Sequence, residues 1–545
     1  MSIQGFQKWN MSNPVIHGSL RRQSTKGFQK WNMLNPVIHG SLRCQSRAFK
    51  NGICQIRLFT AVYDVNPGLS KMEYVKSGYS RQCTTSIPGA FKNGICQIRL
   101  ITAVYDVNPG TFKNGIFMSN PTNKNLRMFR FLAFGIFVSL VLAMPKSKMS
   151  YEGHQVVKVL PRRSDDVTSV LDIVKNLNLD TWNVPKTLNQ TVDVHVTPDK
   201  VSQFMNEIKS LGLEVHVWID NLQRLIDEEH HDNNRRKRAS TFHIGAYHYA
   251  SDINSFLDYV ASVSSRTQVF SMGHSYEGRD MKYVKISSGQ ASKAVYLDGG
   301  IHAREWISVS TMVYIIYQLA LNPNNDAAVD ALLAKFDFYI LPVVNPDGYE
   351  YSIHHERLWR KNRRPNSHSS CVGVDLNRNF GFQWNPDNGG SRDPCNEIYA
   401  GEQSMTEPEI VNVAKFMDSH SNIIAYLNVH SYGQYWLYPW GFTSRMPSDY
   451  RDLDNMGRAA SNAIYQKHHA RYTVGEDTVV LYAAAGGADD YAKGHAGIKY
   501  SYTVELRDTG RYGFVLSPSY IIPVGEEILE GVKAFANGII AKEGL

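Results

Sequence analysis

Two histidines and a glutamate carry the most specific chemistry in this sequence. His302 and Glu305 form an H-x-x-E pair just after the apolar run KAVYLDGGI, and His430 ends a second apolar run, IIAYLNVH. One histidine, one glutamate and a distant histidine make the three-ligand set of a hydrolytic zinc centre, with the fourth position left for water. Spacing alone is weak evidence, because His274-Ser-Tyr-Glu277 has the same pattern in a polar turn and reads as a surface loop. The strand before His302 separates the two pairs, since α/β domains gather ligand sites at the carboxyl ends of strands.

The elements that must hold such a site are legible from residue 239 onward. KAVYLDG from Lys293, FDFYILPVV from Phe336 and IIAYLNVH from Ile423 read as buried strands alternating with amphipathic helices. One helix is expected after Glu305. Another is expected from the capping box Thr406-Glu-Pro-Glu409, with Val411, Ala414 and Met417 among its apolar positions. Residues 239–545 therefore read as an α/β domain with a mixed, mostly parallel sheet flanked by helices.

Residues 144–238 read as β-α-β-β-α-β, a small α+β open sandwich. Strands are expected at Gln155, near Trp182, at Thr191 and at Leu213; one helix takes Ser164 as its cap, and another opens at Thr197-Pro198 and closes at Gly212. The segment ends in Arg235-Arg236-Lys237-Arg238, four cations between two globular patterns and so a natural protease target; cleavage is expected after Arg238. Asn189-Gln-Thr191 is a glycosylation acceptor sequence.

The chain has 545 residues, 43% of them hydrophobic and 20% charged, which excludes wholesale disorder and collagen-like sequence. Its net charge of +8 suggests an acidic partner until the charge is located. Residues 1–127 hold 17 basic and three acidic side chains, net +14, whereas 239–545 are net −7. The leader is also repetitive: GFQKWNM returns 22 residues on, and AFKNGICQIRL returns 42 residues on with its polar residues intact, as in duplicated DNA. Its basic residues are scattered rather than striped, so an unstructured upstream extension is favoured over a nucleic-acid arm. Met128-Phe-Arg followed by an apolar run to Ala143 matches a secretory signal peptide, too short for a span of about 20 residues. Translation is accordingly expected to start at Met128 or Met118.

HAREW at His302–Trp306, RLWRKNR at Arg357–Arg363, DLNRNF at Asp375–Phe380, NVHSYGQ at Asn428–Gln434 and ELRDTGRYGF at Glu505–Phe514 together resemble the zinc metallocarboxypeptidases of the pancreatic A/B type. The resemblance spans the whole domain 239–545, and 144–238 with its basic junction resembles that family's activation segment. It implies one Zn2+ per catalytic domain, held by His302, Glu305 and His430, with Asp375 orienting a ligand histidine. Glu505 would be the general base for the zinc-bound water, and Arg360 would stabilise the oxyanion. Asn377 and Arg378 would clamp the substrate's terminal carboxylate, Tyr482 would be the mobile lid, and Arg304 and Tyr432 would line the groove. Cys371 and Cys395 would form the family's disulfide.

By the same resemblance, Asp489 falls at the base of the side-chain pocket, where a carboxylate implies preference for C-terminal Lys or Arg; Asp477 lies near another pocket position. The alternatives are an A-type preference for apolar or aromatic ends, with Asp489 paired internally or facing solvent, and a catalytically inactive carboxypeptidase-like binding protein. The reading as a whole is a secreted, extracellular, monomeric zymogen. It acts on peptide C-termini, is inhibited by its own pro-domain (144–238) and is activated by a trypsin-like or furin-like protease. Neither nucleic-acid binding nor a stable membrane anchor is expected.

Overall fold

The computed structural model describes residues 148–184, 190–238 and 242–545, together with the backbone of five strands in the leader. The chain divides into two units, Met1–Val141 and Leu142–Leu545. The signal segment 128–143 and Asn189 lie outside the described residues. Among the described residues no helix is long and apolar enough to cross a membrane.

The leader strands are β1 (Gln23–Thr25), β2 (Phe28–Asn32), β3 (Ser41–Ala48), β4 (Cys54–Tyr63) and β5 (Gln97–Tyr105), hydrogen-bonded in that order. The strands β4 and β5 are the two copies of the duplicated segment, rich in Ile, Val and aromatic residues, and they pair in parallel from Gln55↔Gln97 to Tyr63↔Tyr105. Copies with the same residue pattern fit in register.

The segment after the signal folds as its alternation dictates. Strands β6 (Gln155–Leu160), β7 (Asp180–Asn183), β8 (Val192–Val196) and β9 (Glu214–Ile219) form an antiparallel sheet in the order β7-β8-β6-β9. Helices α1 (Ser164–Asn176) and α2 (Val201–Ser210) bury Val170, Val174, Phe204 and Ile208 against Val157, Val159, Val192 and Val194. The cap of α1 differs from the expected Ser164: Asp166 accepts from the backbone N–H groups of Arg162 and Arg163, each at 2.9 Å. A carboxylate inside the first turn satisfies those free donors and suits the positive helix end. Helix α3 (Leu222–Lys237) then carries the chain to Arg238.

The larger sheet has eight strands: β10 (Thr267–His274), β11 (Asp280–Ile286), β12 (Lys293–Gly299), β13 (Phe336–Leu341), β14 (Ile423–Ser431), β15 (Tyr435–Tyr438), β16 (Thr473–Glu476) and β17 (Tyr500–Leu506). Their order is β10-β11-β13-β12-β14-β17-β15-β16, with a parallel centre β13-β12-β14-β17, antiparallel pairings on either side of it and a parallel pair β15-β16 at the far edge. Successive residues of β12 serve opposite cores. Val295 and Leu297 join the cluster under α5 (Trp306–Leu321), whereas Ala294 and Tyr296 join the one under α8 (Pro408–Ser419). Covering both faces of the parallel centre explains its unbroken apolar runs. Helix α8 starts later than the expected capping box. Pro408 occupies the first turn, and Thr406 is held instead by Asn379, whose Oδ1 accepts from its N–H at 3.0 Å.

Candidate active site and metal centre

His302 lies just beyond β12, Glu305 caps α5, and His430 sits near the end of the neighbouring β14. All three are buried, and their ligand atoms lie within 4.8 Å of one another. His302 Nε2 faces Asp375 Oδ1 at 3.0 Å, and His430 Nε2 faces Asn428 Oδ1. Both partners are acceptors, so each ring spends its N–H outward and keeps a lone pair on Nδ1. The two Nδ1 atoms stand 3.1 Å apart, 2.8 and 3.0 Å from the oxygens of Glu305. Acceptors converging without a proton between them repel, and a divalent cation satisfies them all. Two imidazoles and a carboxylate are a donor set that suits zinc.

The surroundings fix the charges. Burial works against ionisation of Asp375, but Arg360 and His302 outweigh it and hold the carboxyl well below its usual range. Arg360 reaches Asp375 Oδ2 through Nε at 3.1 Å and through a terminal nitrogen at 2.9 Å. Glu505, on β17, is the register partner of His430. Its Oε2 is shut off from solvent with no hydrogen-bond partner, and burial, with Glu305 adding, raises it to about 8. Arg507, the ion-pair partner Glu505 could have had, is bound to Glu527 instead, at 2.6 to 3.1 Å.

The loop that carries Asp489 is stitched to this centre. Asn377 Nδ2 lies 3.4 Å from His430 Nε2, while its Oδ1 accepts from the Ala488 N–H at 2.9 Å, at the start of helix Ala488–Gly494. Arg378 is buried and donates to the carbonyls of Gly389 (2.8 Å) and Asn377 (2.9 Å). Gly486 has φ +82°, and a Cβ there would meet the Arg378 carbonyl oxygen at 2.6 Å, so only glycine lets the loop come so close. Asp489, one residue past Ala488, is 4% exposed, and its Oδ2 has no partner. Tyr482 is exposed, near enough to Arg360 to act on it electrostatically. Cys371 and Cys395 form a disulfide.

Arg304 and Tyr432 are buried under the segment 148–238. Arg304 donates to Asp180 Oδ2 at 2.6 Å and lies over the ring of Phe514. Trp182 packs edge-on against Phe514 and Tyr432, with ring centroids 5.1 and 6.4 Å apart. Trp218 donates to the Gly510 carbonyl at 2.6 Å, and Arg357 forms a fully buried pair with Glu229 of α3 at 2.7 and 2.8 Å. Among the expected residues, then, His302, Glu305, His430, Arg360, Asn377 and Glu505 converge, and Arg304 and Tyr432 meet the pro-segment. Tyr482 stays outside, and Arg238 is exposed at the end of α3. Sequence reasoning gave no role to Asn428, although it stands in the same NVH run, nor to Asp180 or Glu229, which nothing local marks.

Comparison with known proteins gives the same picture. A zinc carboxypeptidase family profile matches residues 253–531, and a carboxypeptidase activation peptide profile matches residues 157–229. Carboxypeptidase B of Astacus astacus is 47% identical over 296 residues, 54% of this chain and 96% of that enzyme. Carboxypeptidase A2 of Mus musculus is 36% identical over 399 residues, 72% of this chain and 94% of that protein. The crystal structure of thrombin activatable fibrinolysis inhibitor superposes with a TM-score of 0.66 at 33% identity, covering 72% of this chain and 100% of that one. That of carboxypeptidase A from Helicoverpa armigera gives 0.68 at 30% identity, over 73% of this chain and 100% of that one. Fold and site thus define a zinc-dependent metallocarboxypeptidase, and the chain belongs to the zinc carboxypeptidase family. With its activation peptide and its relatives of the A and B types, it is consistent with a procarboxypeptidase of the A/B kind.

Proposed function

We propose that the mature enzyme, residues 239–545, removes C-terminal Lys or Arg from peptides and is made as a secreted zymogen. The observation that carries the specificity is Asp489, a buried carboxylate with an unpartnered oxygen, one residue from the Ala488 N–H that Asn377 holds beside His430. Burying such a group without a cation is costly, so a basic side chain is the ligand that repays it. The carboxypeptidase B of Astacus astacus, at 47% identity, is in keeping with a B-type reading of that pocket.

His302, Glu305 and His430 would hold the zinc, which would supply Lewis acidity to a carbonyl oxygen and to water. Glu505 takes the proton of the attacking water and returns it to the leaving amine as the C–N bond breaks. Its Oε2, shut off from solvent and without a hydrogen-bond partner, is free to take that proton. Arg360, braced by two bonds to Asp375, donates to the carbonyl oxygen as negative charge grows there. Asn377 and Arg378 bind the terminal carboxylate, Tyr482 closes over the bound residue, and Arg304 and Tyr432 hold the chain upstream.

In the precursor those last two residues are taken by Asp180 and Trp182, so residues 144–238 block the groove until the chain is cut after Arg238. A trypsin-like or furin-like protease suits the run Arg235–Arg238. Residues 128–143 act as signal peptide, residues 1–127 are absent from the mature protein, and the enzyme acts as a monomer outside the cell, where the disulfide Cys371–Cys395 persists. The test is to activate the precursor with trypsin and compare peptides ending in Arg, Lys, Phe and Leu, with and without a zinc chelator. Release of single Arg and Lys residues, abolished by the chelator, is expected; faster release of Phe or Leu would overturn the assignment.

A further inference from the structure

Asp489 does not stand alone. Asp477, at the start of the short helix Asp477–Val480, and Asp490 lie with it in one buried cluster, each offering an oxygen within 4.8 Å of the others. Among the described residues no cation forms an ion pair with any of the three. Their roles differ. Asp490 is committed to the backbone: its two oxygens accept from the N–H groups of Gly441 (2.9 Å) and Phe442 (3.0 Å), which pins that loop as a wall. Asp477 and Asp489 have no such duty. Their carboxyl oxygens lie within 4.8 Å of each other, where like charges favour a proton on one of the two, and Asp489 Oδ2 has no hydrogen-bond partner.

A proton is a poor permanent solution for two acids at a pocket base, and it is the part a substrate cation can replace. We propose that Asp477 is a second specificity-determining residue, forming with Asp489 a two-carboxylate receptor selective for a C-terminal arginine over lysine. This deepens, and rests on, the basic preference proposed above. The chemistry follows from the number of donors. A guanidinium offers five N–H groups in a planar fork and can bond two carboxylates at once, whereas an ammonium is a point charge satisfied largely by one. Burial, with Asp489 adding, pushes Asp477 well above the usual carboxylate range, in keeping with a proton held until the cation arrives.

The test uses trypsin-activated wild type, Asp477→Asn and Asp477→Ala on matched peptides ending in Arg, Lys and Leu. Wild type should favour Arg over Lys. Loss of one charge-assisted contact should cut kcat/KM for Arg roughly 10- to 100-fold, almost wholly through KM, with a smaller fall for Lys, so that the Arg/Lys ratio contracts in both variants. An unchanged ratio would overturn the proposal while leaving the basic preference intact. Equal losses on Arg and Lys carried by kcat would overturn it too, as the mark of a structural role. If wild type itself prefers Leu, the basic preference has failed, and this inference with it.

Discussion

His430 and Glu505 are register partners on the adjacent parallel strands β14 and β17, so one sheet position sets a zinc ligand beside a carboxylate whose Oε2 has no partner. Strand pairing, rather than loop conformation, fixes that separation. If Glu505 is the proton carrier, Glu505→Gln should lower kcat by roughly 10²- to 10⁴-fold, the span of general acid–base catalysis, with little change in KM. Zinc content, measured by elemental analysis, should stay at one per chain because all three ligands remain.

Arg378 is expected to read the free carboxylate. Arg378→Lys keeps the charge but loses the planar fork, so kcat/KM on a free-acid peptide should fall about 10- to 100-fold. The amide of the same peptide, already a poor substrate for wild type, should change little. Matched kinetics on the two peptides checks this.

Trp182 is the centre of the pro-segment contact, against Phe514 and Tyr432. Removing a buried indole costs about 3–5 kcal/mol. A cleaved Trp182→Ala pro-segment should therefore inhibit the mature enzyme at least ~100-fold more weakly. Asp180→Ala, which leaves Arg304 unpaired, should act in the same direction. Inhibition constants of the separated segments give the comparison.

The same segment should lose stability in acid. His154 Nδ1 and His195 Nε2 lie 2.9 Å apart in stacked, buried rings, and burial lowers His195 to about 4, with His154 and Arg304 adding and Asp180 opposing. Unfolded, the imidazole titrates near 6.5 and so binds more protons than the folded form between about 4 and 6.5. The contribution is therefore present in full above about 6.5, fades as pH falls through that window, and is gone below 4, a loss on the order of 3 kcal/mol. The pro-segment of the precursor should melt at a lower temperature at pH 4.5 than at pH 7, and His195→Gln should flatten the difference.

What the sequence made legible was local. The H-x-x-E pair, the strands before His302 and His430 and the order of the β-α-β-β-α-β segment each depend on residues a few positions apart, where periodicity and spacing carry the information. The contacts that close the groove do not. Arg304 and Asp180 are 124 residues apart and Arg357 and Glu229 are 128 apart, so no pattern announces them. Caps failed for a related reason. Ser164 and Thr406 are good cap types, but Asp166 caps the turn instead by accepting from the Arg162 and Arg163 N–H groups, and Asn379, brought from 27 residues away, captures Thr406. Asp490 shows the limit most plainly. Adjacent to Asp489 and chemically identical, it is turned to the Gly441–Phe442 backbone by tertiary packing alone.

The central claim, that the buried Asp489 carboxylate sets the choice of C-terminal residue, is tested most directly by Asp489→Ile. The ratio of kcat/KM for an Arg-ending over a Leu-ending peptide would be measured in wild type and variant after identical activation. The account predicts a ratio well above one in wild type and below one in the variant, as the pocket changes from anionic to apolar. A ratio that the substitution leaves unchanged would contradict it.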